Sequence, residues 1–361
     1  MQYSPHSFLV VILGCLLLLG SCKDRETARE DSVISDNDTL QIYQNPIYHE
    51  NFPDPTIIQA LDGTFYAYGT NSKVGDSTMH LQVLRSSNLV DWHFVGDGMP
   101  DPPVWADRDF WAPHVYYDPE SQQYFLYYSG ESTADNMGKC LGVAVADHPE
   151  GPFVDKGEPL LCGDGFINID PMLFNDPESN KFYLYWGSGH QPIKVREMAD
   201  NLMEFKEGSA EIAVIDTISR EDPDNYSKLV EAPWVHFRDG YYFLFYSGDN
   251  CCGEQAHYAL MVARSESPTG PFMKMQESDA VSTNSVVLGS GERWIAPGHN
   301  SIISDDDGKL WTFYHAIDAQ VPERGRLLMV DPITFKNNWP VIPNSSPSQA
   351  TRIVPVVQAE D

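Results

Sequence analysis

Positive charge is scarce in this chain. Against 52 Asp and Glu there are only 23 Lys and Arg in 361 residues, a formal net charge of −29. That balance excludes nucleic acid and anionic membrane surfaces as partners and would repel a polyanionic substrate, but it tolerates a neutral ligand such as a sugar. Helical periodicity is missing too, since no long Leu/Ala/Glu/Lys pattern follows residue 21. The six cysteines show no paired CxxC spacing, so no zinc-type site is indicated. The longest apolar run, from Phe8 to Leu19, is too short to span a bilayer comfortably, and no Lys or Arg precedes it.

That run has the character of a signal-peptide core. The Leu19-Gly20-Ser21-Cys22 step after it is similar to a bacterial lipobox. Residues 1–21 are therefore expected to leave as a leader, with Cys22 carrying lipid. Residues 22–44 would form a charged, flexible tether, and 45–361 the folded domain, displayed on the periplasmic or cell-surface side of a membrane. Cys15 leaves with the leader. Cys140, Cys162, Cys251 and Cys252 remain in a compartment that permits disulfides, with their pairing open.

Aromatic residues are plentiful, with 18 Tyr, 17 Phe and 8 Trp, and they recur in order. A turn followed by a dense aromatic strand appears five times: "LDGTFYAYGT", "DPESQQYFLYYSG", "DPESNKFYLYWGSG", "RDGYYFLFYSGD" and "DDGKLWTFYHAI". These strands begin at Phe65, Tyr124, Phe182, Tyr242 and Leu310, at intervals of 59, 58, 60 and 68. A repeat of that length, built of short strands and tight turns, is one four-stranded sheet with its connections. Five such sheets packed radially hide their edges and predict an all-β, five-bladed β-propeller.

The repeat gives meaning to "NFPDPTI", where Asp54 sits between two prolines at the head of a strand. Asp54, Trp111, Asp170, Glu231 and His299 each lie 11–13 residues before their aromatic strand. The strand before that turn is the innermost of a blade. Five equivalent positions are thus expected to converge on one end of the central axis, bringing three carboxylates together. Clustered acids in a partly buried funnel repel one another, so at least one should have a raised pKa. Two facing carboxylates can hydrolyse an acetal, one protonating the leaving oxygen and the other activating water, while a third tunes the acid. Trp111 or Phe52 supplies a flat face for a sugar ring.

The motifs "NFPDPTI", "FWAPHV", "NIDPMLF", "VEAPWV" and "PGHNSI", in this order, resemble glycoside hydrolase family 43 over residues 45–343. The resemblance implies a five-bladed propeller and inverting hydrolysis. Asp54 would be the general base, Glu231 the general acid and Asp170 the modulator of its pKa. Inversion needs room for water, so the two carboxyls are expected roughly 6.5–9.5 Å apart. The resemblance also implies a role for His299 near the axis, where it would help hold a cation such as calcium. Arg326, or its neighbour Arg324, would lie against the sugar. No dissociable cofactor is implied. The segment "FYSGDNCCGEQAHYALMVARSESPTGPF" is most similar to the arabinan-active branch, so α-L-arabinofuranosyl linkages in plant-type polysaccharide are favoured. The alternatives are a β-xylosidase or galactan-active member of the family, and a non-catalytic sugar-binding propeller, which would not need all three acids. A monomer is expected.

Overall fold

The structure is a computed structural model that describes residues 41–187, 189–219, 224–275 and 284–357. The leader, Cys22 and most of the expected tether lie outside the described residues. Residues 42 and 43, assigned to that tether from sequence, instead belong to the folded domain. Ile42 and Tyr43 pair with Ile353 and Arg352, and the Tyr43 ring is buried.

Five antiparallel sheets form the five blades. The first runs through Thr56–Gln59, Phe65–Gly69, Gln82–Ser86 and His93–Asp97. The second comprises Ala106–Asp118, Gln123–Ser132, Lys139–Ala146 and Val154–Asp155, with Leu161–Cys162 added to its third strand. The third is Met172–Asn175, Phe182–Trp186, Ile193–Glu197 and Ile212–Ile215. The fourth is Val230–Arg238, Tyr241–Asn250, His257–Ser265 and Met273–Lys274, with Val286–Leu288 on its third strand. The fifth takes Trp294–Ser304, Leu310–Asp318 and Arg326–Lys336 from the end of the domain. Its outer strand, Tyr48–Asn51, comes from the beginning. The ring is therefore closed by hydrogen bonds between the two ends of the domain, a device the repeat alone did not reveal.

The aromatic strands are continuous apolar runs because each is buried on both faces. In the second blade, Tyr124, Leu126 and Tyr128 face the first blade, while Phe125 and Tyr127 face the third. The same alternation repeats around the ring and, among the described residues, gives every seam between neighbouring blades an apolar cluster.

Phe52 departs from expectation. It is fully buried, packs edge-on against Tyr48 and lies over Gly69, where an added Cβ would sit 3.0 Å from its ring. Here the chain crosses from the outer strand of the last blade to the inner strand of the first. The ring fills the seam between those blades and is not a platform for sugar.

Candidate active site

The predicted convergence occurs. Asp54, Trp111, Asp170, Glu231 and His299, one from each blade, line a single cavity of about 470 Å³. Their spacing is finer than the repeat suggested. Asp54, Ala112, Asp170, Ala232 and His299 all have left-handed backbone, with φ between 48° and 57°. In the second, fourth and fifth blades a bulge falls at this point, and two residues oppose one of the neighbouring strand. Trp111 and Glu231 therefore sit one position ahead of Asp54, Asp170 and His299. The expectation of five identical positions is corrected to two adjacent ones, which the bulge turns toward the same cavity.

A ring of hydrogen bonds holds these bulges. The side chain five residues into each aromatic strand meets the amide of the left-handed residue in the next blade. His315 Nδ1 accepts from Asp54 N–H at 3.2 Å, Thr70 Oγ1 from Ala112 at 2.9 Å, Ser129 Oγ from Asp170 at 3.1 Å and Ser247 Oγ from His299 at 2.8 Å. The corresponding residue of the third blade is Gly187, which has no side chain to offer. There the Asp170 carboxylate takes the place of the hydroxyl, accepting from Ala232 N–H at 3.0 Å. Asp170 is thereby anchored to the residue that follows Glu231.

Asp54 is the most heavily engaged acid. Its Oδ1 accepts from Arg326 at 2.7 Å and lies 3.2 Å from His299 Nδ1, while Oδ2 accepts from the Thr70 hydroxyl at 2.5 Å. Burial alone would raise its pKa, but Arg326 and His299 outweigh it and hold the carboxyl well below the usual carboxylate range. Glu231 has a different environment. Burial raises its pKa to about 7, against the lowering effect of a 2.7 Å hydrogen bond from Tyr258, and the nearby Asp54 charge adds to the rise. Asp170 is also pushed up, first by burial and then by the Glu231 and Asp54 charges.

Arg326, and not Arg324, is the arginine of the site; Arg324 bonds the carbonyl of His49 at the surface. Trp111 lies in the wall with Lys139 Nζ 4.1 Å from its ring centroid. Lys139 is almost fully buried, bonds Asp109 at 2.7 Å and also pairs with Glu131. Its amide donates to Gly165 O at 2.8 Å, and the adjacent Cys140 is disulfide-bonded to Cys162. One strand thus fixes both Trp111 and the loop carrying Phe166, a second aromatic of the cavity. Cys251 and Cys252 form the other disulfide among the described residues and also line the cavity. Among the described residues, no cluster of three or more His, Cys, Asp or Glu side chains is arranged to hold a metal. His299, the residue through which a cation was expected, turns its Nδ1 toward Asp54 Oδ1.

Thr70, Lys139, Tyr258 and His315 were not singled out from sequence. For Thr70 and His315 the signal was available, because they occupy one phase of the repeat whose first residues had already been aligned.

Residues 43–340 match the family model described as "Glycosyl hydrolases family 43". The chain belongs to glycosyl hydrolase family 43. It is 28% identical over 306 residues to the extracellular endo-α-(1→5)-L-arabinanase 1 of Bacillus subtilis, covering 81% of this chain and 88% of that protein. It is 26% identical over 321 residues to the β-D-galactofuranosidase xynD of Aspergillus niger, covering 83% and 84% respectively. Among solved structures, the fold resembles an α-L-arabinanase of Cellvibrio cellulosa complexed with arabinohexaose. The TM-score is 0.67 at 23% identity, over 81% of this chain and 95% of that one. The family 43 chain is a glycosidase with a five-bladed propeller fold.

Proposed function

We propose that this glycosidase cleaves α-L-arabinofuranosidic linkages of plant-type polysaccharide with inversion, Asp54 acting as general base and Glu231 as general acid. One observation carries the reading: two carboxyls of one cavity are driven apart in protonation. Arg326 and His299 keep Asp54 ionised, whereas Glu231 holds its proton up to about pH 7. Glu231 gives that proton to the glycosidic oxygen as its bond to the anomeric carbon breaks. Water attacks the opposite face and yields its proton to Asp54, so the sugar leaves with inverted configuration. Asp170, as the proposed modulator of the acid, positions Glu231 through its hydrogen bond from Ala232 N–H.

The choice of sugar rests on relatives, since the B. subtilis protein is named an arabinanase. It is tested by incubating the protein with linear arabinan, branched arabinan, galactan and xylo-oligosaccharides, following products by chromatography and their first anomer by NMR. Arabinose or arabino-oligosaccharides released first as the β-anomer support the reading. Xylose or galactose would overturn the sugar, and arabinose or arabino-oligosaccharide appearing first as the α-anomer would overturn inversion.

Trp111 is proposed as the sugar platform, and Lys139 holds one face of its ring. Lys139→Met is expected to raise KM about threefold to tenfold while kcat stays within twofold, with Lys139→Arg close to wild type. Stability should fall by less than the ~3–5 kcal/mol of breaking a fully buried pair, because Glu131 and Asp109 reach solvent. Steady-state kinetics checks it. An unchanged KM would remove Trp111 as the platform.

A further inference from the structure

Tyr258 is fully buried, and its hydroxyl donates to Glu231 Oε1 at 2.7 Å. Three features fix the ring. It stacks on the buried His315 with a centroid separation of 5.7 Å and an interplanar angle of 5°. It packs in a cluster with Ala296 and Ile317. Gly298 presses on its edge so closely that an added Cβ would lie 2.4 Å from two ring carbons. Gly298 pairs with His315 as Glu231 pairs with Ser247, so it holds in the fifth blade the position that Glu231 holds in the fourth. The fifth blade leaves that position without a side chain, and the tyrosine ring occupies the space.

We propose that Tyr258 is a positioning residue that decides which oxygen of Glu231 carries the catalytic proton. The inference rests on Glu231 being the acid. A carboxylic acid has one O–H and one carbonyl oxygen, and the two exchange roles freely in water. Here Oε1 always faces a donor. The phenol stays protonated across the working range, because burial and then the Glu231 and Asp170 charges hold its pKa well above 10. Oε1 is therefore the acceptor, and the proton resides on Oε2. Among the described residues Oε2 has no hydrogen-bond partner, and Glu231 borders the cavity. When the Oε2 proton passes to the glycosidic oxygen, the electron pair of the broken C–O bond stays on that oxygen and Glu231 becomes a carboxylate. The Tyr258 bond, now to a charged acceptor, strengthens as the reaction proceeds. His315 couples this arrangement to the base, since the ring that stacks on Tyr258 also accepts from Asp54 N–H.

The other groups that face Glu231 are Asp54 and Arg326, with Asp170 beyond Ala232. None of them donates a hydrogen bond to it among the described residues, so removing the phenol oxygen isolates one effect. Tyr258→Phe keeps the ring and its stack. On arabino-oligosaccharides it is expected to lower kcat about tenfold to a hundredfold, to change KM less than twofold, and to move the alkaline limb of the pH profile upward. On the 2,4-dinitrophenyl glycosides of the same oligosaccharides, whose leaving group departs without a proton, the loss should be less than threefold. Equal loss on both substrates, or none on either, overturns the proposal. If Tyr258→Phe fails to fold, site-specific 3,5-difluorotyrosine at 258 keeps the shape and donates more strongly. The alkaline limb should then move down, and an unmoved limb overturns the proposal. Glu231→Gln, run in parallel, separates the two readings: full activity of that variant on oligosaccharides means the acid is misassigned, whereas its loss beside an unaffected Tyr258→Phe means only this inference fails.

Discussion

Replacing Glu231 by glutamine is expected to lower kcat on arabino-oligosaccharides by about 10²–10⁴-fold, the usual contribution of a positioned general acid. The amide is isosteric, and its carbonyl still accepts from Tyr258, so the wall of the cavity is preserved. What disappears is the proton. The defect should therefore depend on the leaving group, and a dinitrophenyl glycoside should restore turnover to within about tenfold of wild type. In the wild-type enzyme kcat/KM should fall as pH rises through about 7, because Glu231 then ionises. That limb should be absent from the variant.

A second readout is stability. The carboxyl has a folded pKa raised above its unfolded value, so the native state binds the proton more tightly. Stability is lost as pH rises from the unfolded pKa to about 7, and the ionised side chain is a burden above that point. Glu231→Gln should accordingly melt higher than wild type at pH 8, with the difference shrinking at pH 5. A variant that melts lower at pH 8, or that loses activity equally on both classes of substrate, would show that Glu231 acts through structure and not as the acid.

Most of this site was legible in the sequence because the propeller repeats its own geometry. Once five aromatic strands were aligned, the acids fell at nearly one distance ahead of them, and convergence on an axis followed from the fold. What the alignment blurred is the bulge. A count of 11–13 residues spans the step between Glu231 and Ala232, and only the backbone at φ 55° shows which of them is in phase with Asp54. Phe52 was misread for a related reason. Its place beside the Pro53-Asp54 step suggested the cavity, but the outer strand of the last blade ends at Asn51, and residue 52 has to cross a seam. That crossing depends on the two ends of the domain sharing a blade, which no local pattern displays. Tyr258 and Lys139 were hidden differently. Each is one apolar-run residue among many, and only a neighbour distant in sequence, Glu231 or Trp111, gives it a role.

Asp54→Asn is expected to be as damaging as the Glu231 change but with a different signature. Asp54 occupies the left-handed backbone between two prolines, a conformation that asparagine also adopts readily, so the loop should persist. The side chain does not adapt as well. In the native site one oxygen accepts from Arg326 and the other from Thr70. An amide has one acceptor oxygen. Since Arg326 can only donate, that oxygen must turn toward it and the amino group must face Thr70. The Thr70 hydroxyl then loses its acceptor while still receiving the Ala112 amide, so the ring of bonds survives on that side. The chemistry does not survive, because a neutral amide cannot take a proton from water. Water must attack whatever the leaving group, so kcat should fall by about 10²–10⁴-fold on oligosaccharides and dinitrophenyl glycosides alike. The acidic limb of the profile, which Arg326 and His299 place well below the usual carboxylate range, should vanish with it. Measuring both variants on both substrates assigns the two roles without reference to relatives: loss that a good leaving group repairs belongs to the acid, and loss that it leaves untouched belongs to the base. Turnover of the dinitrophenyl glycoside by Asp54→Asn within tenfold of wild type would exclude Asp54 as the base, because no other step of the reaction can dispense with activation of water.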